Sequence, residues 1–107
     1  MKEIPAGKVL ETGVQSSLPV LVDIYTPHCG PCRALAPVLE ELATEFSGKA
    51  DFVKFDGAAD NASIQACVEL GVKMVPTLIL FKGGKEVARR QGVTSKQNLS
   101  DWIAENL

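Results

Sequence analysis

The spacing of apolar and polar positions changes along the chain, and each spacing predicts one kind of secondary structure. Residues 19–25 read P-V-L-V-D-I-Y, a β-branched and almost wholly apolar run that is typical of a strand covered on both faces. From Leu35 onward the apolar positions recur every three or four residues, which predicts a long helix with one buried stripe. The helix is expected to end at residues 47–49, S-G-K. Its stripe consists of Leu35, Val38, Leu39, Leu42, Ala43 and Phe46.

A second strand and a second helix are predicted next. Residues 51–55, D-F-V-K-F, read as a strand, and residues 57–61 read as a loop. The shorter helix that follows should stop at Gly71 and bury three side chains, one of them a cysteine that we interpret as a small buried hydrophobe. These three are Ile64, Cys67 and Val68.

The last part of the chain predicts a hairpin and a closing helix. Residues 76–81 read as a buried strand, Gly83-Gly84 supplies the positive φ angles of a tight turn, and residues 86–91 return as an edge strand. Ser95 is placed to cap a final helix. The inner face of that helix should consist of Leu99, Trp102 and Ile103. This order of elements predicts an α/β fold in which helices pack on a mixed sheet.

Length, composition and charge narrow the classes of function. The 107 residues are enough for one domain, residues 1–107, and 46% of them are apolar, which is enough for one core. The net charge of −2 comes from interspersed acidic and basic residues, so no basic stripe indicates a nucleic-acid partner. No apolar run approaches the ~18 residues of a membrane span. Residues 1–13 also lack the apolar core of a signal peptide. We therefore expect a cytoplasmic protein without a membrane partner.

Two cysteines stand three positions apart in residues 26–33, T-P-H-C-G-P-C-R. Thiols are kept reduced in the cytoplasm, so such a pair is more typical of catalysis or metal binding than of a structural disulfide. A tetrahedral zinc site needs four ligands, which usually come from two such pairs. Beyond Cys29 and Cys32 this chain offers only the distant Cys67 and His28, which is awkwardly placed directly before Cys29. We therefore predict no metal site, and a metal-binding domain stays as an alternative that zinc analysis would separate.

The position of the pair favours redox chemistry instead. Cys29 lies where a predicted strand turns into a helix, so its sulfur faces the unpaired N–H groups and the positive end of the helix dipole. This environment favours the thiolate, the species that attacks a disulfide. Pro31 costs little in a first helical turn, because the N–H it lacks would be unpaired there. Cys32 lies within the same turn and is close enough to attack the sulfur of Cys29.

With these residues the sequence resembles the thioredoxin family, from about Pro19 to Leu107. The resemblance rests on Cys29-Gly30-Pro31-Cys32, on V-L-V-D-I-Y before it, on R-A-L-A-P-V-L-E-E-L-A after it, on V-P-T-L-I-L-F-K-G-G-K, and on Gly92. It implies the thioredoxin fold, a central mixed β-sheet flanked by helices on both faces. It also implies a thiol–disulfide oxidoreductase that reduces protein disulfides through the Cys29/Cys32 couple.

The resemblance assigns two charged residues to the catalytic site. Asp23 would be the family's buried aspartate beneath the resolving Cys32, where desolvation raises the pKa of a carboxyl toward neutrality. The alternative is an acid near a sheet edge with its carboxylate in water. Lys54 would be the partner of Asp23 on the neighbouring strand, and the alternative is a solvated strand lysine.

The resemblance also implies a substrate-binding surface. The Val75–Pro76 bond would be cis and face the cysteines, and the backbone of Val75 would hydrogen-bond an extended target segment. Gly92 would leave room for the target beside the site, and Gly30, Pro31 and His28 would complete the surface. Here the chain departs from the family, which usually has tryptophan at His28 and a large aromatic, most often tryptophan, at Tyr25. The 57–61 loop also looks longer than usual, and the amino-terminal segment looks slightly short.

Partners follow from the same resemblance. The chain would bind no cofactor and act as a monomer on disulfide-containing proteins. A thioredoxin reductase, either an NADPH-dependent flavoprotein or a ferredoxin-linked enzyme, would regenerate the dithiol. A non-catalytic binding module is a rival class, although binding alone would require neither the cysteines nor Asp23. Within the enzyme class, a disulfide-forming oxidase or an isomerase is the closest alternative.

Overall fold

The computed structural model describes residues 1–5 and 16–107. Most of the amino-terminal stretch 1–13, for which the sequence predicts no signal peptide, therefore lies outside the described residues. The elements, in chain order, are β1 (Lys2–Glu3), β2 (Val20–Tyr25), α1 (Gly30–Glu45), β3 (Asp51–Asp56), α2 (Asn61–Leu70), β4 (Thr77–Lys82), β5 (Lys85–Gln91) and α3 (Lys96–Glu105). The predicted order of strands and helices is confirmed, and β1 is an addition to it.

The strands form one five-stranded mixed sheet in the order β1-β3-β2-β4-β5. β3 pairs in parallel with both β1 and β2, whereas β4 runs antiparallel to β2 and to β5. β2 is thus the central strand, and five of its six residues are buried. This position explains why its sequence is apolar at successive positions rather than at alternate ones.

Each face of the sheet is covered by helix, as predicted. α2 packs on one face, over a cluster that includes Val22, Ile24, Phe55 and Ile79. α1 and α3 pack on the other face, over a cluster that includes Leu21, Leu78 and Leu80. The structure has the α/β architecture of the thioredoxin fold.

The predicted helical stripes of α1 and α3 are largely confirmed. Leu35, Leu39 and Leu42 of α1 are fully buried, and the other stripe residues pack against the same cluster while partly exposed. In α3, Leu99 and Ile103 are fully buried and Trp102 is partly buried. Ser95 caps α3 as predicted, because its hydroxyl oxygen accepts the N–H of Asn98 at 3.1 Å.

The predicted inner face of α2 is wrong at Ile64 and Val68, whereas Cys67 faces the sheet as predicted. Ile64 and Val68 are 52% and 65% exposed. The face toward the sheet is instead formed by Ser63, Ala66, Cys67 and Leu70, of which the first two are buried. At the start of α2, Asp60 Oδ1 accepts both the N–H and the hydroxyl of Ser63, at 2.8 and 2.9 Å. A satisfied hydroxyl can be buried at little cost, so the polar residue takes an inward position.

Candidate redox site

The cysteine pair lies at the junction of β2 and α1, as predicted. A short turn leaves β2, and the N–H of Cys29 donates to the carbonyl of Thr26 at 3.3 Å. Cys29 is the N-cap residue of α1, with extended φ and ψ of −91° and 109°, and the helix begins at Gly30. Cys29 and Cys32 form a disulfide, with 5.2 Å between their Cα atoms. The first helical turn therefore brings the two sulfurs together.

The two cysteines have different surroundings. Cys29 is partly exposed, whereas Cys32 is only 6% exposed. The sulfur of Cys29 accepts the backbone N–H of Cys32 at 3.1 Å. The first turn of α1 carries no acidic side chain, so nothing there opposes the positive end of the helix dipole. A negative charge is therefore better stabilised on Cys29 than on Cys32.

A backbone segment from the end of α2 faces the pair. The Val75–Pro76 peptide bond is cis, and the carbonyl oxygen of Val75 lies 3.9 Å from the Cys29 sulfur. Pro76 is buried, and its carbonyl accepts the N–H of Gly92 at 3.0 Å. Gly92 has a φ of +80°, which side-chain-bearing residues rarely adopt, and a Cβ there would meet no atom within 4 Å. The structure thus brings Val75, Pro76 and Gly92 together beside the cysteines.

Asp23 lies beneath Cys32. Its side chain is buried with 5% exposure, and within residues 1–5 and 16–107 its Oδ1 atom has no hydrogen-bond partner. A cavity of about 120 Å³ adjoins both Asp23 and Cys32. The cavity is lined by Asp23, Tyr25, Thr26, Pro27, Cys32, Arg33, Ala36 and Lys54. The alternative of a carboxylate in water at a sheet edge is therefore excluded.

Burial raises the pKa of Asp23 from 3.8 to about 7. Desolvation is the largest cause, and the positive charge of Lys54 offsets only part of it. Lys54 lies directly opposite Asp23 in the register of β2 and β3, as expected of its partner. Glu3 occupies the next position of the same row on β1, and its negative charge raises the pKa of Asp23 further.

Tyr25 lies two residues after Asp23 on β2, opposite Asp56 of β3, and is one of the positions at which the chain departs from the family. The ammonium group of Lys54 lies 5.9 Å from the centroid of the Tyr25 ring. The Tyr25 hydroxyl donates to Glu3 Oε1, and burial together with this bond raises the pKa of the phenol. Nothing in the sequence indicates that Glu3 lies beside this site, because a two-residue strand has no periodicity to detect.

The remaining predicted residues lie on the surface around the pair. His28, Gly30 and Pro31 are exposed, and a Cβ at Gly30 would meet no atom within 4 Å. Cys67 is partly buried, and its sulfur lies 3.9 Å from the carbonyl oxygen of Gly57. Burial raises the pKa of its thiol, and Asp56 adds to the shift.

In the described part of the chain, no group of three or more His, Cys, Asp or Glu residues could hold a metal ion. None of the helices described is long and apolar enough for a membrane span.

Comparison with known proteins agrees with this geometry. The family model for thioredoxin matches residues 6–105. The thioredoxin of Haemophilus influenzae is 43% identical over 94 residues, which cover 88% of this chain and 85% of the relative. A Staphylococcus aureus thioredoxin is 44% identical over 98 residues, 92% of this chain and 86% of the relative. Thioredoxin 1 of a Nostoc species is 38% identical over 94 residues, with coverages of 88% and 85%.

The function follows from the site and these relatives together. The chain has a disulfide at the start of α1, a cis peptide bond beside it and a mixed five-stranded sheet. The thioredoxin family model matches most of its length. The protein is a dithiol–disulfide oxidoreductase that acts on disulfide-containing proteins, and the chain belongs to the thioredoxin family.

Proposed function

We propose that Cys29 is the attacking cysteine and Cys32 the resolving one. The Cys29 thiolate attacks one sulfur of a target disulfide, forms a mixed disulfide and expels the other target sulfur as a thiolate, which takes a proton. Cys32 then loses its proton and attacks the Cys29 sulfur, which releases the second target thiol. Two electrons pass from the Cys29/Cys32 pair to the target. The observation that carries this order is the asymmetry of the pair, because only Cys29 is both partly exposed and at the helix N-terminus.

Asp23 is proposed as the proton acceptor for Cys32, with Lys54 as its partner. A general base works best when its pKa lies near the working pH, and the pKa of Asp23 is about 7. The cavity beneath Cys32 gives the carboxyl a path to the thiol. The charge of Lys54 keeps the carboxyl ionisable despite its burial, because it opposes the effect of desolvation.

Target binding is assigned to the backbone of Val75. An extended target segment would form main-chain hydrogen bonds with Val75. Pro76 and Gly92 would leave room for that segment beside the cysteines. Gly30, Pro31 and His28 supply the rest of the docking surface. Their exposure around the partly exposed Cys29 supports this role.

The wider setting belongs to the same proposal. The chain acts as a single-domain monomer over residues 1–107, in the cytoplasm, without a bound cofactor and without a nucleic-acid or membrane partner. A thioredoxin reductase returns the oxidised pair to the dithiol. That enzyme is either a flavoprotein that uses NADPH or a ferredoxin-linked reductase.

Reduction of insulin tests the proposal. The chain is supplied with NADPH and a flavin-dependent reductase in one assay, and with a ferredoxin-linked reductase in another. We expect catalytic insulin reduction in at least one of them, and none with a Cys29→Ser/Cys32→Ser double variant. Chemically reduced protein that leaves insulin disulfides intact would contradict the proposed activity on protein targets.

A further inference from the structure

One side chain of β5 reaches over to the end of α2. Arg89 donates through Nη2 to the carbonyl of Leu70 at 2.6 Å and through Nη1 to the carbonyl of Gly71 at 3.4 Å. The last carbonyls of a helix have no partner within the helix, and they lie at the negative end of its dipole. The Arg89 guanidinium therefore stabilises the carboxyl end of α2 by charge as well as by hydrogen bonds.

Glu86 holds that guanidinium in place. Arg89 donates through Nε to Glu86 Oε2 at 2.8 Å and through Nη2 to Glu86 Oε1 at 2.7 Å. Residues three apart on a regular strand point to opposite faces of the sheet. Here the pairing of β4 with β5 shifts between Leu80 and Phe81, so that Val87 is an extra residue and Glu86 and Arg89 share a face. The bulge thus builds a planar two-bond pair, the geometry in which an arginine side chain is best fixed.

The two carbonyls bound by Arg89 lie at the start of the segment that faces the cysteines. Residues 71–76 connect α2 to β4 without forming helix or strand. At the far end of this segment, the N–H of Gly92, which directly follows β5, donates to the carbonyl of Pro76 at 3.0 Å. Arg89 and Gly92, three residues apart, therefore hold the two ends of the segment that contains Val75.

We propose that Arg89 is a positioning residue for target binding. It fixes the start of segment 71–75, and through it the orientation of the Val75 backbone toward an extended target. The inference rests on the proposed function, in which that backbone binds the target. Arg89 itself need not touch the target, since its donors are directed to Leu70, Gly71 and Glu86. A disulfide without a peptide backbone does not use the Val75 backbone, so its reduction should not depend on Arg89.

The test compares two disulfides in single turnovers of the chemically reduced protein. Insulin has a backbone to bind, and hydroxyethyl disulfide has none. For Arg89→Met, we expect the half-saturating insulin concentration to rise about fivefold, the size of one ordinary net hydrogen bond, with the limiting rate within about twofold. The rate with hydroxyethyl disulfide should stay within about twofold of wild type. Arg89→Lys, which retains one donor for Leu70, should restore part of the insulin affinity.

Two further variants complete the design. Arg90→Met removes the same charge from the neighbouring position of β5, on the other face, and should behave as wild type. Glu86→Gln leaves Arg89 in place but weakens its pair, and should raise the half-saturating insulin concentration about twofold. Arg89→Met with unchanged insulin affinity, or with equal losses on both disulfides, would overturn the positioning role. Wild-type protein that reduces hydroxyethyl disulfide but not insulin would instead overturn the proposed target binding, and this inference with it.

Discussion

Asp23 lies directly opposite Lys54 in the parallel register of β2 and β3, yet its carboxyl is harder to ionise than a carboxyl in water. Burial beneath α1 outweighs the attraction of the lysine, and the pKa of Asp23 rises to about 7. Glu3, next in the row, adds to the shift. The site therefore holds a proton near neutrality below Cys32, at a cost to the stability of the fold.

That cost predicts a stability difference that depends on pH. Between about pH 4 and pH 7 the folded protein keeps a proton on Asp23 that the unfolded chain has lost, so the contribution of Asp23 to stability falls as pH rises through this range and then levels off. Asp23→Asn removes the effect. We expect oxidised Asp23→Asn to exceed wild type by about 2–4 kcal/mol at pH 8, and by much less at pH 4, in urea unfolding.

An exposed aspartate provides the control for this comparison. Asp101 is exposed on α3, so Asp101→Asn should change stability little at either pH. A gap between Asp23→Asn and wild type that is equal at pH 4 and pH 8 would show that the titration of Asp23 does not cause it.

The same carboxyl predicts a kinetic defect. Asp23 is the proposed acceptor of the Cys32 proton, so Asp23→Asn should slow release of the reduced target at least about tenfold at pH 7. The defect should shrink toward pH 9, where hydroxide removes the proton directly. Lys54→Met should shift the acid limb of the rate profile to higher pH, because the lysine lowers the pKa of Asp23. Stopped-flow measurement of target release from pH 6 to 9 tests both the Asp23→Asn and the Lys54→Met predictions. If Asp23→Asn releases the target at the wild-type rate, Asp23 is not the proton acceptor.

A packing prediction concerns Gly57 and Cys67. A Cβ added at Gly57 would lie 2.9 Å from the Cys67 sulfur and 3.4 Å from Ile24 Cγ2. Gly57→Ala should therefore destabilise the fold by about 1–3 kcal/mol through overpacking. Cys67→Ala in the same background removes the closest atom and should recover most of the loss. Urea unfolding of the two single variants and the double variant gives the coupling free energy between the two substitutions. If their effects on the free energy of unfolding simply add, the two sites do not clash.

His28 is predicted to influence docking more than redox poise. The imidazole is exposed, and solvent screens the effect of its charge on the neighbouring Cys29. We expect the equilibrium of wild type and His28→Trp with glutathione to differ less than about fivefold. A difference well beyond this would show that His28 influences the redox equilibrium of the Cys29/Cys32 pair.

The sequence predicted most where the physical signal is local. The unbroken apolar run of β2 and the regular stripe from Leu35 to Leu42 each reflect one element's own burial, and both are confirmed. The position of Cys29 at a strand-to-helix turn is likewise encoded by adjacent residues. The cis bond before Pro76 was expected only from the family resemblance, because local sequence does not select the isomer.

The parts that the sequence did not predict depend on other elements. Ile64 and Val68 were placed inward because they are apolar, but Ser63, whose hydroxyl is hydrogen-bonded to the Asp60 cap, is buried instead. Glu3 joins the row beside Asp23 through strand pairing alone. Arg89 reaches α2 only because a register shift turns it toward the same face as Glu86. None of these relationships has a periodic signature in the chain.

Trapping of mixed disulfides tests the order of attack most directly. Cys32→Ser and Cys29→Ser are reduced, incubated with a disulfide-containing target, and analysed without reductant by gel and mass spectrometry. If Cys29 attacks and Cys32 resolves, as proposed, Cys32→Ser should accumulate a stable adduct linked through Cys29, whereas Cys29→Ser should accumulate none. A stable adduct formed only by Cys29→Ser, and linked through Cys32, would contradict the proposed mechanism.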